Sequence, residues 1–251
     1  MGHDANIRVM MIAAERAASA LVRDFGELEK LQVSRKGFKD FVTSADLRTE
    51  RRLVYELSKF RPEFSFICEE SGETIGNKEG SVWAIDPIDG TTNFMRGIPY
   101  FAINIALLEK GEVVVGLTLD PMRGSYFTAV KGGGAFLGKR QRLRVSGREE
   151  LVEALVAVHT TTEEEDFIRR KGAITRRTGA IALDLAYLAS GKFDVVFARD
   201  VGLWDVASGI ILTRESGGFI KYKETSPSRF TILASASMSL ISHLTPLYSA
   251  R

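Results

Sequence analysis

The chain has one cysteine, Cys68, so no disulfide can close within it, and the composition agrees with a reducing compartment. It has three histidines, His3, His159 and His243, none of them in a motif, which removes the His/Cys donor sets that select zinc. An excess of charge of one sign is also lacking. Lys plus Arg number 34 against 32 for Asp plus Glu, so no global field calls for nucleic acid or an anionic membrane. Long apolar runs are missing too, and no uncharged stretch is long enough to cross a bilayer. Between Met1 and Arg23 the apolar residues are interrupted by Asp4, Arg8, Glu15 and Arg16, which argues against a secretion signal; the expected location is cytoplasmic, with no membrane partner. Internal repeats and low-complexity linkers are absent.

What is present is enough for a large core. With 251 residues, 45% hydrophobic and 26% charged, the chain is a globular one, able to form one domain or two closely packed lobes. Apolar residues at Ile7, Met10, Met11, Ala14, Ala17, Ala18, Leu21 and Val22 have helical spacing and predict a packing helix over 5–30. Thr43 or Ser44 is expected to cap a second helix, with Asp46 in its first turn. Phe64–Cys68 reads as a short strand ending in Glu69-Glu70. Phe101–Leu108 and Val113–Asp120 read as a hairpin that continues through Ser125–Val130 and Gly134–Val145, a sheet of at least four strands. This is a first lobe over 1–150. From 151 to 251 strands alternate with helices, an α/β second lobe within one catalytic unit.

The informative stretch is Trp83-Ala84-Ile85-Asp86-Pro87-Ile88-Asp89-Gly90-Thr91-Thr92-Asn93-Phe94. A buried strand ends in a carboxylate, Pro87 holds Asp86 extended, Asp89-Gly90 turns, and Thr91 opens a helix. Carboxylates suited to a cation thus stand beside free helix N–H groups suited to an anion, the two halves of a metal–phosphate centre. Taken alone, Asp-Pro and Asp-Gly are ordinary turn dipeptides; what shifts the balance is that Glu70, Asp86, Asp89 and Asp205 all fall at element ends. If they converge, each bare pair about 4 Å apart repels by roughly 4 kcal/mol at an effective dielectric near 20, so cations are required. All-oxygen ligation points to magnesium or manganese.

Other phosphate chemistries do not fit. Cys68 has Thr74, not Arg, six residues on, and lies beside glutamates that disfavour a thiolate. Asp86 and Asp89 are three apart, where aspartyl-phosphate enzymes use two. Gly133-Gly134-Ala135-Phe136-Leu137-Gly138-Lys139 has P-loop spacing, but Arg140 replaces the metal-holding Ser or Thr, so these glycines read as hairpin turns. A metal-activated water attacking phosphorus remains.

Asp86 through Phe94, with Glu70 upstream and Trp204-Asp205-Val206-Ala207-Ser208-Gly209 through Glu215-Ser216-Gly217-Gly218 downstream, resembles the inositol monophosphatase family, whose bacterial members include extragenic suppressor proteins. The resemblance, from about Lys36 to Gly218, implies a layered α/β/α/β/α fold, magnesium dependence with two to three ions, lithium sensitivity and a homodimer. By position it implies a first metal on Glu70, Asp86 and the Ile88 carbonyl, and a second on Asp86, Asp89 and Asp205. Glu70 helps place a third ion through water. Thr91, bonded to Asp46, orients the attacking water, the Gly90 and Thr91 amides grip the phosphate, and Lys36 lies near it. Departures touch the substrate side: Ala180 and Asp184 stand after Gly179 where relatives differ, and no glutamate precedes Trp204 in Phe193–Leu203, where Arg199 is a candidate for a second phosphate. The expected substrate is a small phosphorylated polyol or sugar, inositol 1-phosphate first, with fructose 1,6-bisphosphate and 3′-phosphoadenosine 5′-phosphate as rivals. A nucleic-acid or transcription-complex role resting on the basic run Lys139–Arg144 is the alternative from another class, and an inactive phosphatase-like scaffold ranks last.

Overall fold

Two facing helices, a sheet, two more helices, a second sheet and an outer helical layer are stacked in that order. The computed structural model describes residues 3–31, 38–72 and 80–249. Helices α1 (His3–Leu31) and α2 (Phe38–Phe60) form the first layer. The α1 stripe is built from small residues, with Ala13, Ala14 and Ala17 buried beside Met10 and Leu21, which lets α2 and the sheet approach closely. Helix α2 starts at Phe38, so Thr43 and Ser44 do not cap it and Asp46 is not in its first turn; Asp46 and Glu50 lie one turn apart on its buried side.

The first sheet has seven strands in sequence order: β1 (Ser65–Cys68), β2 (Ser81–Asp89), β3 (Ala102–Glu109), β4 (Glu112–Asp120), β5 (Ser125–Val130), β6 (Gly134–Leu137) and β7 (Gln141–Arg142). β1 pairs with β2 in parallel and the rest is an antiparallel meander. The short helix α3 (Thr91–Met95) follows β2. The second sheet has the order β11-β12-β10-β8-β9, made of β8 (Leu155–His159), β9 (Ile174–Arg176), β10 (Val195–Gly202), β11 (Phe219–Ser226) and β12 (Arg229–Ser235). Between the sheets lie α5 (Ile181–Ala189) and α6 (Leu203–Glu215), while α4 (Thr162–Arg170) and α7 (Met238–Ser249) close the outer face. Apolar clusters fill each interface in turn. The expected α/β/α/β/α layering is the observed one. Strands β9 and β11 were not anticipated, and no described helix is long and apolar enough to cross a membrane.

Helix α6 touches both sheets and α5, so its seat fixes the middle layer. It sits where β4 has no side chain: a Cβ at Gly116 would lie 2.5 Å from Ile211 Cγ2 and 2.8 Å from the Ser208 Cα. The second of these is backbone and cannot swing aside. Gly116→Ala is therefore expected to destabilise the protein by about 1–3 kcal/mol, the usual cost of overpacking. A urea denaturation series would show this as a lower midpoint with an unchanged slope; an unchanged midpoint would mean that α6 is free to lift from the sheet.

Candidate metal and phosphate site

The site is assembled where the ends of β1 and β2 meet α2, α5 and α6. Opposite β2, Asp86 pairs with Asn104 and Asp89 with Ala102, so three steps on β2 match two on β3. This bulge absorbs one residue of Asp86-Pro87-Ile88-Asp89 and turns the two aspartates, three apart, towards the same face. It also accommodates Pro87, which has no ladder N–H to give. The Ile88 N–H bonds the Asp86 carboxylate at 2.9 Å.

β1 runs beside β2 with Cys68 level with Ile85, and the Glu69 N–H continues the pairing to the Ile85 carbonyl at 3.2 Å. Glu69 is thereby level with Asp86, and it is Glu69, not Glu70, whose carboxylate joins the cluster: oxygens of Glu69, Asp86 and Asp205 lie within 4.8 Å of one another. Glu70 is one step further on and its N–H donates to the Glu50 carboxylate at 2.9 Å. Asp205 is in the first turn of α6, where it accepts from the Gly202 N–H at 2.7 Å. The Asn104 amide holds that turn by donating to the Trp204 and Asp205 carbonyls at 2.5 and 3.1 Å. Asn104 is itself fixed by the Thr118 and Ser208 hydroxyls. Asp89 is outside the close trio; its two oxygens accept the Ile181 and Ala182 N–H groups of α5 at 3.2 and 2.8 Å.

With Asp46 and Glu50 from α2, seven carboxylates share this region, and among the described residues none has a Lys or Arg ion pair. The consequence is visible in their acidities. Burial and then the charge of Glu70 push Asp46 up to about 8. Burial, with Asp205 and Glu70 adding to it, pushes Glu69 up to about 7. Asp86, Asp89 and Asp205 are raised as well, by burial first. A convergent, partly buried, all-oxygen donor set without a Lys or Arg ion pair among the described residues fits a hard divalent cation. Cys68 is no rival: burial and Glu50 push its thiol up to about 12.

The anion side is the start of α3. Gly90, at φ 94°, turns the chain in the left-handed region, and a Cβ there would come within 3.0 Å of the Ala180 Cβ and 3.2 Å of the Tyr100 carbonyl. No side chain caps the helix. The expected Thr91–Asp46 hydrogen bond is replaced by one from the Thr91 hydroxyl to the Ile88 carbonyl at 3.0 Å.

Several substrate-side expectations are corrected. Arg199 is committed elsewhere, with Nε on Glu164 Oε1 and Nη2 on the Leu247 carbonyl, both at 2.5 Å. Asp184 is fully buried and accepts from the Tyr100 hydroxyl at 2.7 Å, the Thr178 hydroxyl at 2.6 Å and the His159 ring at 2.7 Å. Gly179 and Ala180 shape the turn into α5, and Ala180 is buried against Gly90. Lys36 lies outside the described residues. The P-loop-like glycines form a turn between β5 and β6 whose Gly132 and Gly134 N–H groups are taken by Glu215 at 2.8 Å, so no anion is gripped there. Glu50 and Asn104 were missed. Glu50, four residues after Asp46, carries the signal of a shared helix face, and Asn104 is the one amide in the apolar run Ala102–Leu108.

Comparison with known proteins identifies the family. The model of the inositol monophosphatase family matches residues 4–241. The inositol-1-monophosphatase of Caulobacter vibrioides is 46% identical over 222 residues, covering 84% of this chain and 87% of that protein. The Nus factor SuhB of Pseudomonas aeruginosa is 37% identical over 228 residues, 85% of this chain and 84% of that one. Among solved structures, the extragenic suppressor protein suhB from Bartonella henselae superposes with a TM-score of 0.86 at 37% identity, over 98% of this chain and all of that one. With a family match over nearly the whole sequence and relatives of this identity, the chain belongs to the inositol monophosphatase family, a family of metal-dependent phosphatases.

Proposed function

We propose that the chain is a magnesium-dependent phosphomonoesterase acting on a small polyol or sugar phosphate, with inositol 1-phosphate the leading substrate. The observation that carries this is the close trio Glu69, Asp86 and Asp205, without a Lys or Arg ion pair among the described residues and set beside an uncapped helix start. These three would hold the first ion, and Asp89 and the Ile88 carbonyl adjoin them for a second; manganese satisfies the same donors. A bound ion supplies a water of lowered pKa and draws off charge developing on the phosphate. The chain's own groups do the rest. The Gly90 and Thr91 N–H groups receive the phosphate. The Thr91 hydroxyl, donating to the Ile88 carbonyl, keeps its lone pairs to accept a proton of the attacking water and so orient it. Asp46 and Glu70, both made weaker acids by burial, would serve this water as proton acceptors. With Arg199 committed to Glu164, a second phosphate loses its candidate partner, which favours a monoester over the two bisphosphates.

Relatives named Nus factor SuhB, and the exposed Lys139, Arg140, Arg142 and Arg144 without a carboxylate partner among the described residues, support a second reading, an RNA contact at the β6–β7 hairpin. Charge reversal of the three arginines is expected to abolish salt-sensitive RNA retention if that reading holds, while leaving phosphate release intact.

For the phosphatase, release of phosphate from the three candidate esters is expected only with magnesium. Glu69→Gln and Asp205→Asn should each lower kcat about 100-fold or more, and Glu70→Gln less than about 10-fold. Equal losses in Glu69→Gln and Glu70→Gln would return the ligand role to both.

Stability provides an independent check. Asp46 and Glu69 ionise in the fold near 8 and 7 instead of at their ordinary 3.8 and 4.5, so the folded state binds more protons than the unfolded one between those limits. Their contribution is whole below about 4 and is lost as pH rises through 7 and 8. In chelator the melting temperature should thus be lower at pH 8 than at pH 5, and magnesium should restore more of it at pH 8. A flat chelator profile would show that the acids are already compensated by the protein.

A further inference from the structure

Asp86 and Asp205 come from elements far apart in sequence, so their spacing depends on what fixes the first turn of α6 against β2. The Gly202 N–H orients the Asp205 carboxylate against the end of β10 and gives it no tie to the first sheet. The contact at Gly116 seats Ser208 and Ile211, further along the helix. The link from the Asp205 turn to β2 runs through Asn104.

Asn104 stands opposite Asp86 on β3, and Thr118 stands opposite Asn104 on β4. Residues directly opposed on antiparallel strands present their side chains to one face, so the three form a polar row across the sheet. All three are buried, as is Ser208 of α6, which meets the row from the helix side. The orientation of the Asn104 amide follows from its partners alone. Backbone carbonyls only accept, so the group facing the Trp204 and Asp205 carbonyls, at 2.5 and 3.1 Å, is the NH2. The amide oxygen then accepts from hydroxyls, Thr118 Oγ1 at 2.9 Å and Ser208 Oγ. No titratable group takes part in these bonds, so they do not depend on which acids of the cluster are ionised.

Both carbonyls belong to the turn that bears Asp205, and one is its own. The amide thus holds the backbone of one acid from a position directly across from the other. Oxygens of Asp86 and Asp205 lie within 4.8 Å of each other, a separation at which bare carboxylates repel. Withdrawal of the α6 turn would relieve that repulsion, and the amide opposes it.

We propose that Asn104 is a positioning residue for the cation site, keeping the Asp205 turn against Asp86 so that the trio is assembled before an ion arrives. An uncharged amide that touches no ion then sets the affinity for one, because ligands already in place have little freedom left to lose. The inference rests on the phosphatase reading above, from which it takes the ion's place at Glu69, Asp86 and Asp205.

The test uses manganese alone as the probe, without substrate, and reads the dissociation constant of the full chain from the spin resonance of the free ion. Asn104→Leu removes both polar ends of the amide at similar volume, and the Thr118 and Ser208 hydroxyls, 2.7 Å apart, can still bond each other. Thr118→Val removes one donor to the amide oxygen and leaves both carbonyl bonds. Leu244→Ala, in the buried face of the outer helix α7, lowers stability away from the site and serves as the control for a merely structural effect. The dissociation constant should rise about 10- to 100-fold in Asn104→Leu, the usual effect of removing a group that orients a ligand, and about threefold or more in Thr118→Val. In Leu244→Ala it should stay within about twofold of wild type. A rise of less than about threefold in Asn104→Leu would overturn the proposal, and so would an equal rise in Leu244→Ala. Should Asn104→Leu not fold, Thr118→Val decides by the same threefold limit. Absence of manganese binding by wild type would remove the cation site and the phosphatase reading with it, whereas binding that Asn104→Leu leaves unchanged overturns the positioning role alone.

Discussion

The mutual repulsion of converging carboxylates, four of them buried, is the constraint around which this structure is arranged. Asp46, Glu50, Glu69, Glu70, Asp86, Asp89 and Asp205 come from four parts of the chain, α2, the end of β1, β2 and α6. At roughly 4 kcal/mol for each bare pair about 4 Å apart, even two such pairs approach the whole stability of a typical domain, about 5–15 kcal/mol. Among the described residues the protein pairs none of these acids with a lysine or arginine in an ion pair. It gives backbone N–H groups instead: Ile88 to Asp86, Ile181 and Ala182 to Asp89, Gly202 to Asp205 and Glu70 to Glu50. Such donors orient the carboxylates and favour their charged forms without cancelling the charge. What remains is a fixed demand for protons or cations, and that demand is the chemical content of the site.

Holding the acids together is the work of the layers. The apolar clusters on both faces of the first sheet and both faces of the second bind it into one stack, and α6 in the middle layer carries Asp205 to the strand ends of β1 and β2. Its position is set twice, by the missing side chain of Gly116 beneath it and by the Asn104 amide on its first-turn carbonyls. Asn104 also stands opposite Asp86 on β3, so one buried amide ties the register of the sheet to the seat of the helix. A buried polar network of this kind is costly unless fully bonded, and the Thr118 and Ser208 hydroxyls complete it.

Much of this was legible in the residues. Apolar spacing gave α1, the meander and the alternation of the second half, and Asp86–Phe94 announced both halves of the site. What was not legible depended on register. Adjacent glutamates at a strand end point in different directions, and only the pairing of Cys68 with Ile85 makes Glu69 the one level with Asp86. The start of α2 was misjudged because Ser and Thr within Val42-Thr43-Ser44-Ala45-Asp46 resemble a cap, whereas the helix begins at Phe38. β11 was missed because Phe219–Ser226 is an edge strand with both faces largely wet, so its Lys and Glu hid the pattern. Arg199 looked available from sequence because an ion pair to Glu164, 35 residues away, leaves no local trace.

The close acidic trio and the Asp184–His159 pair come from different structural sources. The trio stands just after β1, on β2 and in the first turn of α6, while Asp184 and His159 stand on α5 and the end of β8. Asp89, gripped by the first N–H groups of α5, links the two sets. The same separation explains why the acidic motif is so plain in the sequence and the Asp184 network so obscure. The first is written largely in contiguous residues whose chemistry is strict, and the second in a histidine and an aspartate 25 residues apart that only the fold brings together.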